Sequence, residues 1–168
     1  DFDYEERPGS DAVRLQYSPK PMKTIEAAWK MGRNGKDQVA ALLYRFNKKG
    51  YDWQLTGGRF IHDWIAGFGW AGGLGDFGFK GEASYFHPAK NFSDTTGTLS
   101  FSTGLDISLE TQWYLSASYL LNSSGDNTSG LLSNGMLFNP TAKTLLPLKH
   151  SLFFQGMKAF RSEEHTSE

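Results

Sequence analysis

The sequence predicts an all-β fold, an antiparallel up-and-down meander that forms part of a transmembrane β-barrel. Three observations lead to this prediction. Apolar and polar residues alternate with a period of two, long connections alternate with short ones, and large aromatic residues gather towards the ends of the alternating segments. About nine strands are expected, in a sheet that stays unclosed, with free edges at the first strand and near Phe153.

The composition agrees with many short strands that each have one wet face. Aromatic residues make up 15% of the 168-residue chain and there are 19 glycines, yet the mean hydropathy is -0.47. Disordered chains are poor in aromatics. The net charge of -1 implies no basic field for nucleic acid. The absence of cysteine excludes disulfides and thiolate metal sites.

Alternation defines eight segments clearly and a ninth, residues 150–157, more weakly. In each segment the apolar members share one parity and polar or small residues occupy the other. In chain order the apolar members are Val13, Leu15 and Tyr17; Ile25, Ala27, Trp29 and Met31; Ala40, Leu42, Tyr44 and Phe46; Tyr51, Trp53 and Leu55; Trp64, Ala66, Phe68 and Trp70; Phe77, Phe79, Ala83 and Tyr85; Leu99, Phe101, Leu105 and Ile107; and Trp113, Leu115, Ala117, Tyr119 and Leu121.

A helical interpretation of these segments fails. The apolar residues do not recur at i, i+3 and i+4, and glycine is too frequent inside the segments for stable helices. The longest weakly polar run, residues 64–74, is shorter than the roughly 18 apolar residues of a spanning helix, and glycines interrupt it.

Connection lengths favour a membrane barrel over a soluble sandwich. Barrels that span membranes have short turns at one end and longer loops at the other, so every second connection should be short. A Greek-key sandwich has no reason to keep that order. Short connections are predicted at residues 18–21, 48–50, 72–75 and 108–111, and longer ones at 32–38, 58–63, 87–96 and 123–149.

The polar parity carries charged residues that a barrel would turn towards its lumen. Their signs are about balanced. In a wide pore they would tune the selectivity for ions or solutes, whereas in a narrow barrel they would pair and plug the interior. Both interpretations stay open. The predicted lumen-facing residues are Arg14, Glu26, Lys30, Arg45, Asp52, Lys80, Glu82 and Asp106.

The apolar parity carries large aromatics that are predicted to form two membrane-interface girdles, because Trp and Tyr favour the headgroup level of bilayers. Aromatic residues also favour strands in general, so this pattern alone does not prove a girdle. One girdle lies beside the short turns and comprises Tyr17, Tyr51, Trp53, Trp70 and Trp113. The other lies towards the long connections and comprises Trp29, Trp64, Tyr85 and Tyr119.

No motif in the sequence predicts catalysis, a cofactor or a metal. Residues 67–72 and 73–78 each fit G-x-G-x-x-G, but a dinucleotide site needs a following helix and a strand is predicted instead. His62, His87 and His150 fall in predicted loops without metal-ligand spacing. The chain is therefore not expected to be an enzyme, although a barrel enzyme could build its site from loop and rim residues.

Residues 4–17, 43–47 (LYRFN) and 81–88 (GEASYFHP) resemble uncharacterised porin-like outer-membrane proteins of Gram-negative bacteria. The resemblance extends through most of residues 4–122. It implies a location in the bacterial outer membrane, the lipid bilayer as a partner and passive passage of small solutes. It implies no particular substrate and no oligomeric state. An adhesin or enzyme on the same architecture, and a soluble β-sandwich binding module, are the alternatives.

The last eight residues, 161–168 (RSEEHTSE), read as the in-frame translation of a common short-read sequencing adapter. We therefore expect residues 1–160 to form the partial barrel and residues 161–168 to be a disordered artefact of that adapter.

Overall fold

The computed structural model describes residues 11–32, 38–90, 92–93, 95–110, 112–125 and 148–158. Within these ranges the chain forms nine β-strands and no helix, which confirms the predicted all-β class and strand number. The boundary at residue 160 and the expectation for residues 161–168 lie outside the described residues. The strands are β1 (Ala12–Lys20), β2 (Lys23–Lys30), β3 (Val39–Lys48), β4 (Tyr51–Phe60), β5 (Asp63–Leu74), β6 (Phe77–Pro88), β7 (Thr98–Ser108), β8 (Trp113–Asn122) and β9 (His150–Lys158).

All nine strands lie in one antiparallel sheet in the order of the sequence. Each strand pairs with the strands before and after it, so the sheet is an up-and-down meander. Among the described strands, β1 and β9 pair on one side only, and the sheet is not closed into a barrel. This confirms the prediction of an open sheet with edges at the first strand and near Phe153.

The registers preserve the alternation of side chains from strand to strand. One row of partners joins Arg45 to Gln54, Gly69 and Glu82, while the next row joins Phe46 to Trp53 and Trp70. Partners across an antiparallel pair project from the same side of a sheet. We call the side that bears Arg45 and Glu82 the polar face and the side that bears Trp53 and Trp70 the apolar face.

Tight turns lie mostly at one end of the sheet. The turn end is the end of the sheet at which β1, β3, β5 and β7 finish, beside residues 21–22, 49–50, 75–76 and 109–110, and the loop end is the opposite one, at which β2, β4, β6 and β8 finish. Gly50 has a φ of 77° and Gly75 a φ of 62°. Glycine adopts this left-handed region at no steric cost, which suits two-residue turns. The second glycine motif, residues 73–78, thus spans a turn that is followed by strand β6 rather than by a helix.

The predicted long connection at residues 58–63 is wrong. Strand β4 continues to Phe60, and only Ile61 and His62 separate it from β5. Gly58, the first residue of that predicted connection, pairs within the sheet. A Cβ at Gly58 would clash with the backbone of β3, so this glycine serves a close approach between strands.

The loop assignments of His87 and His150 are also wrong. His87 lies inside β6, and His150 is the first residue of β9. The tight turn after β4 is the reason for the first error. It brings the start of β5 alongside residues 85–88, where Trp64 pairs with His87, so β6 extends further than its hydrophobic pattern indicates.

Few side chains of the described residues are buried. Phe86 is the only buried apolar residue, and the buried polar residues are Asp63, His87 and Asn122. All four lie near the loop end. The sheet therefore does not enclose a hydrophobic core within the described part of the chain.

Candidate functional site

Register places all eight predicted lumen-facing residues on the polar face. Gln16 pairs with Glu26, and Lys30 pairs with Val39, which pairs with Phe60. The chain of partners continues through every strand to β9. On this face lie Arg14, Glu26, Lys30, Arg45, Asp52, Lys80, Glu82 and Asp106.

Four of these eight residues form ion pairs between neighbouring strands. Arg14 holds Glu26 through two contacts, Nε to Oε1 at 2.7 Å and Nη2 to Oε2 at 2.8 Å. The Nζ of Lys80 lies 3.4 Å from Oδ1 of Asp106. Both cationic side chains remain 65% exposed. Such exposed pairs are screened by solvent and stabilise little, so their main effect is to neutralise charge on this face.

A groove of about 710 Å³ lies on the polar face over β3 to β6. Its floor includes Gly69 and Ala71, which leave the middle of the groove free of long side chains. The Nδ2 of Asn47 donates a hydrogen bond of 2.8 Å to Oδ1 of Asp52 at its turn-end border. The polar lining comprises Thr24, Arg45, Asn47, Asp52, Gln54 and Glu82.

A second groove of about 360 Å³ adjoins the first on the same face. Its polar lining includes Lys80, Ser102 and Ser118, and Glu82 borders both grooves. Charged groups of both signs and neutral hydrogen-bonding groups therefore line one continuous surface. Aromatic residues such as Trp53, Trp70 and Phe153 also contribute to this lining, so the surface combines polar and apolar groups.

The sequence prediction named only charged residues and missed the neutral polar ones. Asn47, Gln54 and Thr24 share the parity of the charged residues, and this signal was sufficient to include them. Their grouping in one groove depends on the register between strands, which the sequence pattern does not specify.

The apolar face carries all nine predicted girdle residues. Tyr17, Tyr51, Trp53 and Trp113 lie towards the turn end, and Trp29, Trp64 and Tyr85 towards the loop end. Trp70 and Tyr119 lie further inward along their strands. Their depth in a bilayer stays a prediction.

The structure joins four of the nine girdle residues into one run of ring contacts. Successive rings lie 5.6–6.5 Å apart between centroids, close enough for aromatic packing. Tyr17, Trp29 and Trp64 make no ring contact with another described residue, whereas the Trp113 ring lies under Nζ of Lys158. The run contains Tyr51, Trp53, Phe68, Trp70, Phe101 and Tyr119.

Trp70 packs on the backbone of the neighbouring strand. Gly81 is its register partner, and a Cβ at that position would clash with the indole ring. The Nε1 of Trp70 is buried and has no hydrogen-bond partner. Aromatic rings over strand glycines are a known device for fixing register, so this contact supports the pairing of β5 with β6.

At the loop end, polar side chains of the strands form hydrogen bonds with the connections that follow them. The imidazole of His87 lies 2.9 Å from the Phe92 carbonyl through Nε2 and 3.0 Å from the Tyr85 hydroxyl through Nδ1. Asn122 is fully buried, and its Oδ1 accepts hydrogen bonds from the backbone and hydroxyl groups of Ser124. These contacts tie the starts of two connections to the sheet.

The described residues contain neither a metal-binding cluster nor a membrane-spanning helix. No group of three His, Asp or Glu side chains there is placed to hold a metal ion. No helix there is both long and apolar enough to cross a membrane.

The molecule is defined by this geometry as an open antiparallel meander with one polar, grooved face and one apolar, aromatic face. Comparison of the chain with protein-family models, curated proteins and solved structures finds no match. The likeness to porin-like proteins therefore stays a prediction.

Proposed function

We propose that this sheet forms part of an outer-membrane β-barrel that passes small hydrophilic solutes. The observation that carries the proposal is the uncovered apolar face. Most large apolar side chains of the strands project from it, and Leu15 and Phe154 are 68% and 79% exposed. Within the described residues, no second layer packs against this face.

The energetic argument follows from the number of such side chains. Removing one large apolar side chain from water stabilises by about 1.5–3 kcal/mol, whereas a whole domain is stable by only about 5–15 kcal/mol. A sheet that kept this face in water would forgo a stabilisation larger than the net stability of a typical domain. Lipid supplies the missing cover.

Strand length and the distribution of charge also support the proposal. The strands contain 8–12 residues, and a tilted strand needs about 9–11 residues to cross the hydrocarbon layer. Every acid in the nine strands lies on the polar face, as expected for a wet lumen opposite a lipid-facing surface. These acids are Glu26, Asp52, Asp63, Glu82 and Asp106.

Membrane partition tests the first half of the proposal. The expressed chain should stay with the membrane fraction at high salt and alkaline pH, and detergent should be needed to release it. Recovery of folded chain in buffer without detergent would reject the barrel and favour the soluble β-sandwich, in which a second sheet covers the apolar face.

Ion and solute passage across a bilayer tests the second half of the proposal. The measurement is made on protein that is inserted in the bilayer with both edges of its sheet paired. Glu82→Gln removes a negative charge from the groove and should shift ion selectivity towards anions, while Arg45→Gln should shift it towards cations. Arg59→Gln, on the opposite face, is the matched control and should leave selectivity unchanged. Insertion without any solute uptake would reject passive passage and favour an adhesin or an enzyme.

A further inference from the structure

Arg59 is a cation on the face that carries most of the large apolar side chains. It lies on β4, next to Ala40 on β3 and Trp64 on β5. Its guanidinium makes no ion pair with any described residue. Because the strand acids all lie on the polar face, no acid projects beside it from a neighbouring strand. An arginine that has no acidic partner among the described residues on such a surface is available to an anion from outside.

The position of Arg59 differs from that of the other cations on this face. Those cations are Lys20, Lys23, Lys48 and Lys158, and register places them all at the turn end. Arg59 is the only lysine or arginine at the loop end of the apolar face among the described strand residues. Arg59 is therefore an isolated cation at this end of the face, and not one member of a basic cluster.

An apolar groove of about 730 Å³ begins beside Arg59. Trp29 and Trp64 line it and are 43% and 51% exposed. Ala40 and Gly57 contribute only small groups to the lining between them. The groove reaches Leu15 and Leu42 towards the middle of the sheet, and its lining is almost entirely apolar.

Gly57 keeps this groove open without being needed for the packing of the protein. A Cβ at this position would meet only the Ile65 carbonyl oxygen, at 3.9 Å. Gly58, which points to the other face, has no such room. The space above Gly57 is therefore accessible to an external group.

We propose that this groove binds the acyl chain of an anionic lipid whose phosphate is bound by Arg59. The planar guanidinium fork matches phosphate oxygens, which it can bind through two parallel hydrogen bonds. Trp29 and Trp64 suit the level where headgroups meet hydrocarbon. The inference rests on the proposed function, because only a bilayer-facing sheet presents lipid to this face.

Lipid retention in detergent micelles tests the charge requirement. Native mass spectrometry would compare phosphatidic acid with phosphatidylcholine that carries the same acyl chains. We expect one phosphatidic acid to be retained about fivefold better, and this preference to disappear in Arg59→Gln. Lys30→Gln is the matched control, because it removes a cation from the same end of the sheet but from the polar face. Equal retention of the two lipids, or an equal effect of the two variants, overturns the proposal.

A second variant tests the groove itself. Gly57→Leu fills the space above position 57 and should abolish retention of phosphatidic acid although Arg59 is intact. Inorganic phosphate should not displace the lipid, because phosphate has no apolar part that could occupy the groove. Displacement by phosphate alone contradicts a lipid site.

Circular dichroism confirms that each variant is folded. If Gly57→Leu is not folded, the phosphate competition on the unchanged chain decides. Partition into membranes is measured separately, so its failure rejects the proposed function, whereas loss of headgroup preference alone rejects only this site.

Discussion

At the scale of single residues, two adjacent glycines have opposite structural roles. Gly58 lies against the backbone of Ala40 and Ala41, and a Cβ there would force the strands apart. Gly57 faces open space on the apolar side. A sequence comparison would treat them as one flexible pair, but their side chains would project to opposite faces of β4.

This difference gives the first prediction. Gly58→Ala should lower the free energy of unfolding by about 1–3 kcal/mol, because the added methyl overpacks a backbone contact. Gly57→Ala, the matched control, should change it by no more than about 0.5 kcal/mol, because the added Cβ would meet only the Ile65 carbonyl oxygen at 3.9 Å. Urea unfolding midpoints of both variants in the same detergent check the prediction, and equal midpoints contradict it.

At the scale of elements, the start of the connection at residues 89–97 is fixed by a strand residue. His87 contacts the Phe92 carbonyl at 2.9 Å and packs against the Phe92 ring with centroids 4.0 Å apart. The backbone N–H of Ala89 also donates to the His62 carbonyl at 2.7 Å. The connection is thereby held at both a side chain and a backbone contact.

We expect His87→Ala to release this connection. The lost hydrogen bond is worth about 1 kcal/mol, and the uncovered ring contact adds to it, so local opening should become about tenfold more frequent. Limited proteolysis within residues 89–97 measures the opening rate. His62→Ala is the control, because that exposed side chain lies in the turn and contributes only its backbone carbonyl. Equal cleavage of the two variants would show that His87 does not anchor the connection.

The strands and turns also show which parts of the fold could be predicted from the sequence alone. All nine strands and the face of each predicted residue followed from alternation, since the side-chain period of a strand is strictly two. The turn at Ile61 and His62 did not follow, because the place of Gly58 in a strand depends on its cross-strand neighbours, which the sequence pattern does not specify. The grooves were likewise unpredictable, because residues such as Asn47 on β3 and Glu82 on β6 line the same groove only through the register of three successive strand pairs.

At the scale of the whole molecule, the direction of the outer strands limits how the sheet can close. Successive strands alternate in direction, so β1 and β9 run the same way. A direct seam between them would be parallel. An antiparallel seam needs an odd number of further strands, which agrees with the even strand number of bacterial single-chain barrels.

Open edges also predict how copies of the chain behave. Within the described residues β9 pairs only with β8, and its Leu152, Phe153 and Phe154 are at least half exposed. Unpaired edges of this kind associate with one another. We therefore expect the chain to self-associate through β9 in detergent micelles. Phe153→Lys places a charge on the polar face of this edge and should reduce the associated fraction several-fold.

Ser118→Lys is the matched control for this prediction, because Ser118 is the register partner of Phe153 but lies on β8, inside the sheet. A lysine at that position lies on the same face as Phe153 and at the same height along the strands, but not on the unpaired edge. Sedimentation velocity in one detergent compares the three proteins. An unchanged chain that is monomeric, or a Ser118→Lys variant that dissociates as fully as Phe153→Lys, would show that edge pairing does not drive the association.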